Sequence, residues 1–410
     1  MLKALLAIFF LFLSASRSQN LTLKEALKLV PKHPKQYTSS LDTASAQITK
    51  TKSYLKLSPS FSGSWQKSSL TTVGNLNNPI WSISADLNLF NSFGDFSNIR
   101  AKSYSLNAAE AAEEWSLNKN ELALAEIYLK CLYAQNSETA ALEAYNIAAQ
   151  IADIEKSRFN KGIKSRDDYL KLKVDAENRR ISYLTETTNK ENCYAELFYW
   201  VGNFSALSDP KLNPREPAAK ISLPENHPRL RTARNFVDAK KSTAAAVVSS
   251  NLPKLNLSLT RSYNEITTSS LPAETYSNSI FLTASWNFFD SGQTLSDIRL
   301  IYIDIEKSEA SLKETERDLT RELTSQAKNL SQYLSQYKIA EENLRDIQVT
   351  FKTSLARFRA GAISANEVAL DQARVVAATS SVYNSWLQMN LSYLRYQSSL
   401  GNNVSEVLQR

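Results

Sequence analysis

The chain has 410 residues, of which 43% are hydrophobic, 22% charged and 10% aromatic, and its net charge is +7. This composition excludes wholesale disorder. The 8 glycines and 11 prolines are far fewer than the usual averages of roughly 7% and 5% of residues would give. So few chain-breaking residues disfavour a loop-rich enzyme and predict very long helices. Two cysteines and two histidines are too few for a disulfide framework or a four-cysteine zinc site. The basic residues are interleaved with acids along the chain, which is typical of solvated helix faces rather than of a nucleic-acid-binding surface.

The first sixteen residues have the pattern of a secretory signal peptide. A short positive start, Met1–Lys3, precedes an apolar run from Ala4 to Leu13 and the small residues Ser14–Ser16. The apolar run is too short to span a bilayer, which needs about 20 residues. No cysteine follows the run, so no site for an N-terminal lipid is predicted. We therefore expect residues 1–16 to be removed and the mature chain to be exported.

The remainder of the chain is one unit that occurs twice. The segment 89–92, Leu-Phe-Asn-Ser, matches 288–291, Phe-Phe-Asp-Ser, and the Arg-Phe-x-x-Gly motif at 158–162 recurs at 357–361. Six of the eight glycines form matching pairs, which are Gly94 with Gly292, Gly162 with Gly361, and Gly202 with Gly401. A duplication of this kind determines the architecture, because each copy is expected to repeat one structural unit.

The duplication predicts the domain organisation. The first repeat covers residues 17–202 and the second repeat covers 228–401. Between them, residues 203–227 form a proline-rich linker, and residues 402–410 form a short C-terminal tail. Five prolines lie in or beside the linker, at Pro210, Pro214, Pro217, Pro224 and Pro228.

Each repeat contains a long stretch without chain-breaking residues. No glycine or proline occurs between Gly94 and Gly162 or between Gly292 and Gly361, and apolar residues recur there at steps of three, four and seven, as in a coiled coil. Long helices are predicted at about 95–161, 164–201, 293–360 and 364–400. Gly162 and Gly361 then lie at the tips of two helical hairpins, where a residue with positive φ suits the end of a helix.

Four other segments alternate apolar and polar residues. In one of them, Trp81, Ile83 and Ala85 share one face, and Ser82 and Ser84 occupy the other. Strands are predicted at about 59–69, 80–90, 253–265 and 276–289. Segments of this length with aromatic residues near their ends are typical of membrane β-barrel strands, although two half-buried hairpins on a soluble domain have the same pattern.

Four strands are too few to close a barrel. An open strand edge in lipid leaves backbone groups without hydrogen bonds, so a membrane sheet of this chain has to close with strands from other copies. Three copies give twelve strands, which lies within the normal range for such barrels.

In this order, twice over and behind a signal peptide, these motifs resemble the TolC family of outer-membrane efflux proteins. The resemblance covers about Leu21 to Gly401 and rests on the duplicated unit, the two strand-to-helix turns and the two Arg-Phe-x-x-Gly tips. It implies a mixed α and β membrane protein with a duplicated unit of a helix, a β-hairpin and a long helical hairpin. It also implies that four strands per chain contribute to a trimeric twelve-stranded β-barrel, which a long α-helical coiled-coil tunnel continues.

The resemblance implies a function as well. The chain is expected to be the outer-membrane channel-tunnel component of a tripartite efflux or type I secretion system. It would conduct small molecules or polypeptides passively from the periplasm to the exterior, with its barrel in the cell outer membrane and its helical part in the periplasm. No enzyme activity, cofactor or metal site is predicted. The alternative is a soluble periplasmic coiled-coil scaffold or adaptor without channel activity.

The partners that the resemblance implies follow from that role. Two further copies of the chain would complete a homotrimer, and outer-membrane lipid would surround the barrel. A periplasmic adaptor (membrane fusion) protein and an inner-membrane transporter would dock at the helical end. No nucleic acid is expected as a partner.

Candidate functional residues cluster at the predicted hairpin tips. The resemblance places Asp167, Asp168 and Glu367 at a periplasmic aperture, where symmetry copies of a carboxylate favour cations and penalise anions. Asp168 and Glu367 can instead be first-turn acids that stabilise a helix N-terminus. Both roles remain open from the sequence.

The aromatic and glycine residues of the tips have a second expected role. Phe159 and Phe358 are interpreted as core anchors, with adaptor contact as the alternative. Gly162 and Gly361, together with the exposed residues beside them, are expected to form the adaptor-docking surface.

The two cysteines belong to the first repeat alone. Cys131 and Cys193 correspond to Leu330 and Ser392 in the second repeat. They are interpreted as small buried residues, and a disulfide between them is left open.

Overall fold

The computed structural model describes residues 20–29, 35–53, 58–70, 74–218, 222–267 and 272–408. The predicted signal peptide, residues 1–16, lies outside these ranges. Among the helices in these ranges, none combines the length and the hydropathy that a membrane-spanning helix needs.

Long helices and antiparallel strands alternate along the chain in the same order in both repeats. The helices are α1 (Leu23–Leu29), α2 (Lys35–Ser53), α3 (Gly94–Asn160), α4 (Arg166–Val201), α5 (Pro228–Ser249), α6 (Gln293–Arg359), α7 (Ala365–Ser399) and α8 (Val404–Val407). The strands are β1 (Asn20–Leu21), β2 (Ser58–Leu70), β3 (Gly74–Phe90), β4 (Ala206–Leu207), β5 (Lys254–Thr267) and β6 (Pro272–Ser285). The four long helices begin and end within two residues of their predicted positions.

Two strands differ from the sequence expectation. The strand expected at 80–90 begins at Gly74, because the ladder with β2 continues through Pro79, which the ladder between β3 and β5 skips. Proline has no N–H to donate, so it is tolerated where one neighbouring strand makes no bond with it. The strand expected at 276–289 ends at Ser285, which pairs with Lys254, the first residue of β5. The residues after Ser285 therefore have no partner on β5.

The four long strands form one antiparallel sheet in the order β2-β3-β5-β6. Each repeat contributes one hairpin, and the ladder between β3 and β5 joins the two hairpins. Within the described residues, β2 and β6 are the two open edges of this sheet. The order is therefore set by a pairing between repeats and not by the hairpin turns alone.

The register gives this sheet two chemically distinct faces. One of them, the apolar face, carries Ile83, Ala85 and Leu87 on β3, Leu257 and Leu259 on β5, and Ile280 and Leu282 on β6. The other, the hydroxyl face, carries Ser82, Ser84 and Asp86 on β3, Ser258, Thr260 and Ser262 on β5, and Ser277 and Ser279 on β6, with Phe281 as an apolar exception. Hydroxyls bond across neighbouring strands on this face, since Ser62 and Ser82 are 2.6 Å apart and Ser262 and Ser277 are 2.7 Å apart.

The chain packs into two compact units that do not follow the repeats. Within the described residues, one unit comprises 20–29, 115–218, 222–227 and 318–408, and the other comprises 35–53, 58–70, 74–114, 228–267 and 272–317. Each unit contains parts of both repeats. The sequence repeats and the packing units therefore do not coincide, because each packing unit joins corresponding parts of the two repeats.

The coiled-coil seam predicted for α6 is confirmed. Five of its residues at steps of four, four, three and four are buried, and these are Leu319, Leu323, Ala327, Leu330 and Leu334. Leu323 to Leu334 pack with Met389 and Tyr396 of α7. This apolar stripe holds the outgoing and returning helices of the second repeat together.

A buried tyrosine fixes the N-terminal strand in the first unit. Strand β1 pairs in parallel with β4, and the fully buried Tyr128 lies beneath this pair. Its Oη is 2.7 Å from the Leu21 carbonyl oxygen and 2.6 Å from the Ser208 carbonyl oxygen. Burial raises the pKa of Tyr128 to about 12, so the hydroxyl stays protonated as a hydrogen-bond donor at neutral pH.

The disulfide that the sequence left open is present in the structure. Cys131 of α3 and Cys193 of α4 form a disulfide, with their Cα atoms 5.3 Å apart. The sequence could not show this, because the antiparallel register of the two helices decides which residues face each other. A cross-link over this separation of 62 residues stabilises the fold by about 4 kcal/mol in the chain-entropy description. A disulfide also fits the oxidising compartment that the predicted export implies.

Candidate functional site at the tips of the helical hairpins

Both hairpins turn through a glycine in the left-handed region of φ. The φ angles are +71° at Gly162 and +80° at Gly361, as the sequence predicts. In each turn the glycine N–H donates to the phenylalanine carbonyl three residues earlier, over 2.9 Å in both cases. The next N–H donates to the arginine carbonyl five residues earlier, from Ile163 and from Ala362. This pair of bonds is a Schellman motif, and it satisfies carbonyls at the helix end.

Each returning helix starts with a serine cap that the sequence analysis missed. Ser165 Oγ accepts a hydrogen bond from the Asp168 N–H at 3.1 Å, and Ser364 Oγ accepts one from the Glu367 N–H at 3.3 Å. The Ser364 hydroxyl also donates to the Glu367 carboxylate at 3.2 Å. The signal was present, because a serine followed three residues later by an acid is a known helix-start pattern.

The three predicted aperture carboxylates therefore lie in the first turns of α4 and α7. Asp168 and Glu367 occupy equivalent positions, three residues after their capping serines. Asp167 is largely exposed and pairs with Lys171 at 2.6 Å, a contact that raises the pKa of Lys171. All three acids occupy first-turn positions that stabilise a helix N-terminus, which was the alternative role for Asp168 and Glu367.

The two phenylalanines of the tips occupy different environments. Phe358 is fully buried, in a cluster with Ile151, Leu172, Phe351 and Val368. Phe159 is half-buried and stacks on Tyr169, with the ring centroids 6.3 Å apart. Phe358 is thus a core anchor, whereas Phe159 keeps part of its ring on the surface.

Arg158 connects the first hairpin to the second. Its Nη2 donates to the Phe358 carbonyl at 2.5 Å and lies 3.3 Å from the Arg359 carbonyl. Its guanidinium carbon is 4.6 Å from the centroid of the Phe358 ring, within the range of a cation–π interaction. We call these contacts the tip contact. From the sequence, Arg158 is part of the Arg-Phe-x-x-Gly motif and has no predicted role.

A buried carboxylate completes the tip contact. Glu155 Oε2 is 3.1 Å from Arg158 Nη1, and only 1% of the Glu155 side chain is exposed. Its second oxygen, Oε1, has no hydrogen-bond partner within the described residues. Arg158 therefore compensates a buried charge that would otherwise be very costly. The equivalent arginine of the second repeat, Arg357, is exposed.

Replacing Arg158 with alanine is expected to open the tips. The change removes both carbonyl contacts and leaves Glu155 buried without its cation, which costs about 3 kcal/mol. The same amount is lost from the free energy of local opening, so amide hydrogen exchange around Phe358 should accelerate by about two orders of magnitude. The matched control is Arg357→Ala, which removes the exposed equivalent and should leave exchange unchanged. Equal protection in the two variants would contradict the assigned role.

Comparison with known proteins agrees with this architecture. Residues 222–402 match the family model described as outer membrane efflux protein, while no curated protein sequence matches. The outer membrane channel CmeC of Campylobacter jejuni aligns over 92% of this chain and 85% of its own, with 16% identity and a TM-score of 0.74. The outer membrane protein VceC of Vibrio cholerae aligns over 93% and 96%, with 12% identity and a TM-score of 0.76.

A third solved structure has the same fold. The open state of the MtrE outer membrane channel of Neisseria gonorrhoeae aligns over 93% of this chain and 89% of its own, with 12% identity and a TM-score of 0.73. The predicted location in the outer membrane agrees with the family that residues 222–402 match. Residues 222–402 thus have the sequence pattern of the outer membrane efflux protein family, as the resemblance to the TolC family implies, and the chain shares the fold of solved outer-membrane channels over more than nine-tenths of its length.

Proposed function

We propose that three copies of this chain form the outer-membrane channel of a tripartite efflux or type I secretion system. The observation that carries the proposal is the sheet with one apolar face, one hydroxyl face and two open edges. Alternation of this kind fits a wall between lipid and water. Solutes would pass along the hydroxyl side without chemical change, since transport of this kind needs no catalytic group.

The open edges support assembly from several copies. In lipid, the unpaired backbone groups of β2 and β6 would each cost several kcal/mol. Pairing β6 of one copy with β2 of the next removes these edges. With three copies the sheet closes at twelve strands, which is within the range of membrane barrels.

The helices also offer a surface for a second copy. Helix α4 exposes Leu170, Val174, Ile181 and Leu184, each between 41% and 62% accessible. These residues follow one another at steps of four, seven and three, which is the spacing of a coiled-coil seam. An apolar seam on the outside of one chain fits a neighbouring chain of a homotrimer.

The proposed partners meet the chain at the hairpin tips. A periplasmic adaptor and an inner-membrane transporter would supply the energy, because the sequence contains no phosphate-binding Gly-x-x-x-x-Gly-Lys loop. We assign adaptor docking to the turns at Gly162 and Gly361 with the exposed edge of Phe159. The exposed Ile163 next to Gly162, 66% accessible, supports a docking role because it is an apolar side chain without cover.

The tips would also form the periplasmic aperture. Asp167, Asp168 and Glu367 stabilise helix starts, and a residue at that position can face the pore as well. In a trimer they would place nine carboxylates around the opening. Such a concentration of negative charge favours cations over anions.

Native mass spectrometry of the detergent-extracted protein tests the assembly. The expected mass is that of three mature chains, stable without partners, because the barrel closes only as a trimer. The extracted protein should then conduct ions across a planar bilayer. A monomer or dimer in the soluble fraction after lysis would contradict the channel and favour the periplasmic scaffold.

Ion selectivity tests the aperture. The double variant Asp168→Asn and Glu367→Gln keeps polar side chains at both helix starts but removes the charges. The cation-to-anion permeability ratio, measured from reversal potentials in a salt gradient, should fall at least about twofold. Asp346→Asn, which changes an exposed acid of α6 away from the tip, is the matched control. An unaltered ratio in the double variant would exclude these acids from the aperture.

Substitution of Gly162 tests adaptor docking. Valine disfavours a φ of +71°, so Gly162→Val should distort the turn and abolish co-purification with the adaptor while the trimer mass is retained. Asparagine tolerates the left-handed region, and Gly162→Asn should keep the interaction. Undiminished adaptor binding by the valine variant would refute the assignment.

A further inference from the structure

Four hydrogen-bond-donating side chains share one corner of the apolar face. The register pairs Arg261 with Asn278 and Tyr263 with Tyr276, on the neighbouring strands β5 and β6. The guanidinium carbon of Arg261 is 5.9 Å from the centroid of the Tyr276 ring, and the two tyrosine rings are 4.9 Å apart. We call these four residues the donor corner. They place a guanidinium, an amide and two phenols in two successive residue pairs of the same face.

The donor corner is an exception on its face. Arg261 is a charged residue beside apolar rows, and the register places the Glu265–Glu274 pair in the next row of this face beyond the two tyrosines. Asp86, the carboxylate of β3, lies on the opposite face of the sheet.

The neighbouring rows of the same two strands are apolar. Leu259 pairs with Ile280, and Leu257 pairs with Leu282. Ile280 and Leu282 are 74% and 63% exposed, so this surface is uncovered in the single chain. This surface is complementary to a lipid. Its cluster of donors suits a polar headgroup, and the adjoining branched apolar side chains suit acyl chains.

The position of the aromatic residues sets the depth of this corner. Trp81, Tyr263 and Tyr276 stack across three strands in one row, with Trp81 and Tyr263 5.6 Å apart. From Trp81 to Phe90 the strand runs about 30 Å, or about 23 Å along the membrane normal at a tilt of about 40°, which matches an apolar band of about 25 Å. The row therefore fits one interface of the membrane.

Arg261 lies two residues inside this aromatic row. That separation is about 7 Å along the strand, which an arginine side chain spans when its stem follows apolar surface and its charge reaches the interface. The contact with the Tyr276 ring shows that the guanidinium extends toward the row. At this depth a lipid-facing arginine costs little free energy, whereas at the midplane it is strongly destabilising.

We propose that the donor corner binds the phosphate of an anionic lipid, with the acyl chains along Leu259, Ile280, Leu257 and Leu282. The inference rests on the proposed function, because the apolar face must contact lipid. Guanidinium groups bind phosphate through two parallel hydrogen bonds, and the amide and phenols supply further donors. The adjoining apolar track selects a lipid phosphate over a soluble one. A trimer carries three such sites.

Lipid titration of the delipidated trimer, followed by native mass spectrometry in detergent, tests the site. The probe is lipid A, a glycolipid with two phosphates, and phosphatidylcholine serves as the lipid without net charge. The wild type should bind lipid A preferentially, and Arg261→Gln should raise its apparent Kd at least tenfold. Lys254→Gln, which removes the same charge from the start of β5, should bind as the wild type does.

Three results would overturn the proposal. These are equal binding of lipid A by Arg261→Gln and the wild type, equal binding of phosphatidylcholine and lipid A, and displacement of lipid A by inorganic phosphate at millimolar concentration. Trimer mass and bilayer conductance are recorded on the same preparations. A conducting trimer that fails the lipid test refutes only the donor corner, whereas the lack of a trimer refutes the proposed channel and the donor corner together.

Discussion

The pairing of β3 with β5 is the interaction on which the rest of the structure depends. It joins two hairpins that lie far apart in the sequence into one sheet with a continuous apolar face and a continuous hydroxyl face. An isolated two-stranded hairpin is marginal in water, and four paired strands are substantially better. Within the described residues, the same ladder leaves β2 and β6 as open edges. In the proposed channel, oligomerisation is a consequence of backbone hydrogen bonding and not an added property.

The two repeats have similar backbones, but their side chains have diverged. Arg158 holds the two tips together, while its equivalent Arg357 is exposed. A disulfide joins the helices of the first hairpin, at positions where the second repeat has Leu330 and Ser392. The first hairpin is therefore covalently braced, and the second relies on packing. The glycine turns and the serine caps are the same in both repeats, because the ends of the helices need them independently of the surrounding side chains.

The sequence predicted features that depend on local spacing. The long helices, the positive φ of Gly162 and Gly361, and the alternation of Trp81 to Leu87 each follow from residues near each other in the chain. The caps at Ser165 and Ser364 were equally predictable, since their pattern spans four residues. Contacts between distant segments could not be predicted from the sequence. The Cys131–Cys193 bond, the order of the four strands and the contact of Arg158 with the Phe358 carbonyl all depend on how antiparallel elements align, which no local pattern determines.

The contrast between the sheet and the tips indicates where conformational change is possible. Sheet pairing is a cooperative ladder of backbone hydrogen bonds over three strand pairs, and breaking it in lipid would expose many polar groups together. The tips are joined by one arginine, two carbonyl contacts and a buried carboxylate with an unpaired oxygen. Such a contact can exchange its partners without unfolding the helices, because each turn is closed by its own Schellman bonds. In the proposed channel, the hairpin tips can therefore open while the sheet keeps its pairing, since the energy that separates open from closed tips lies in a few side chains.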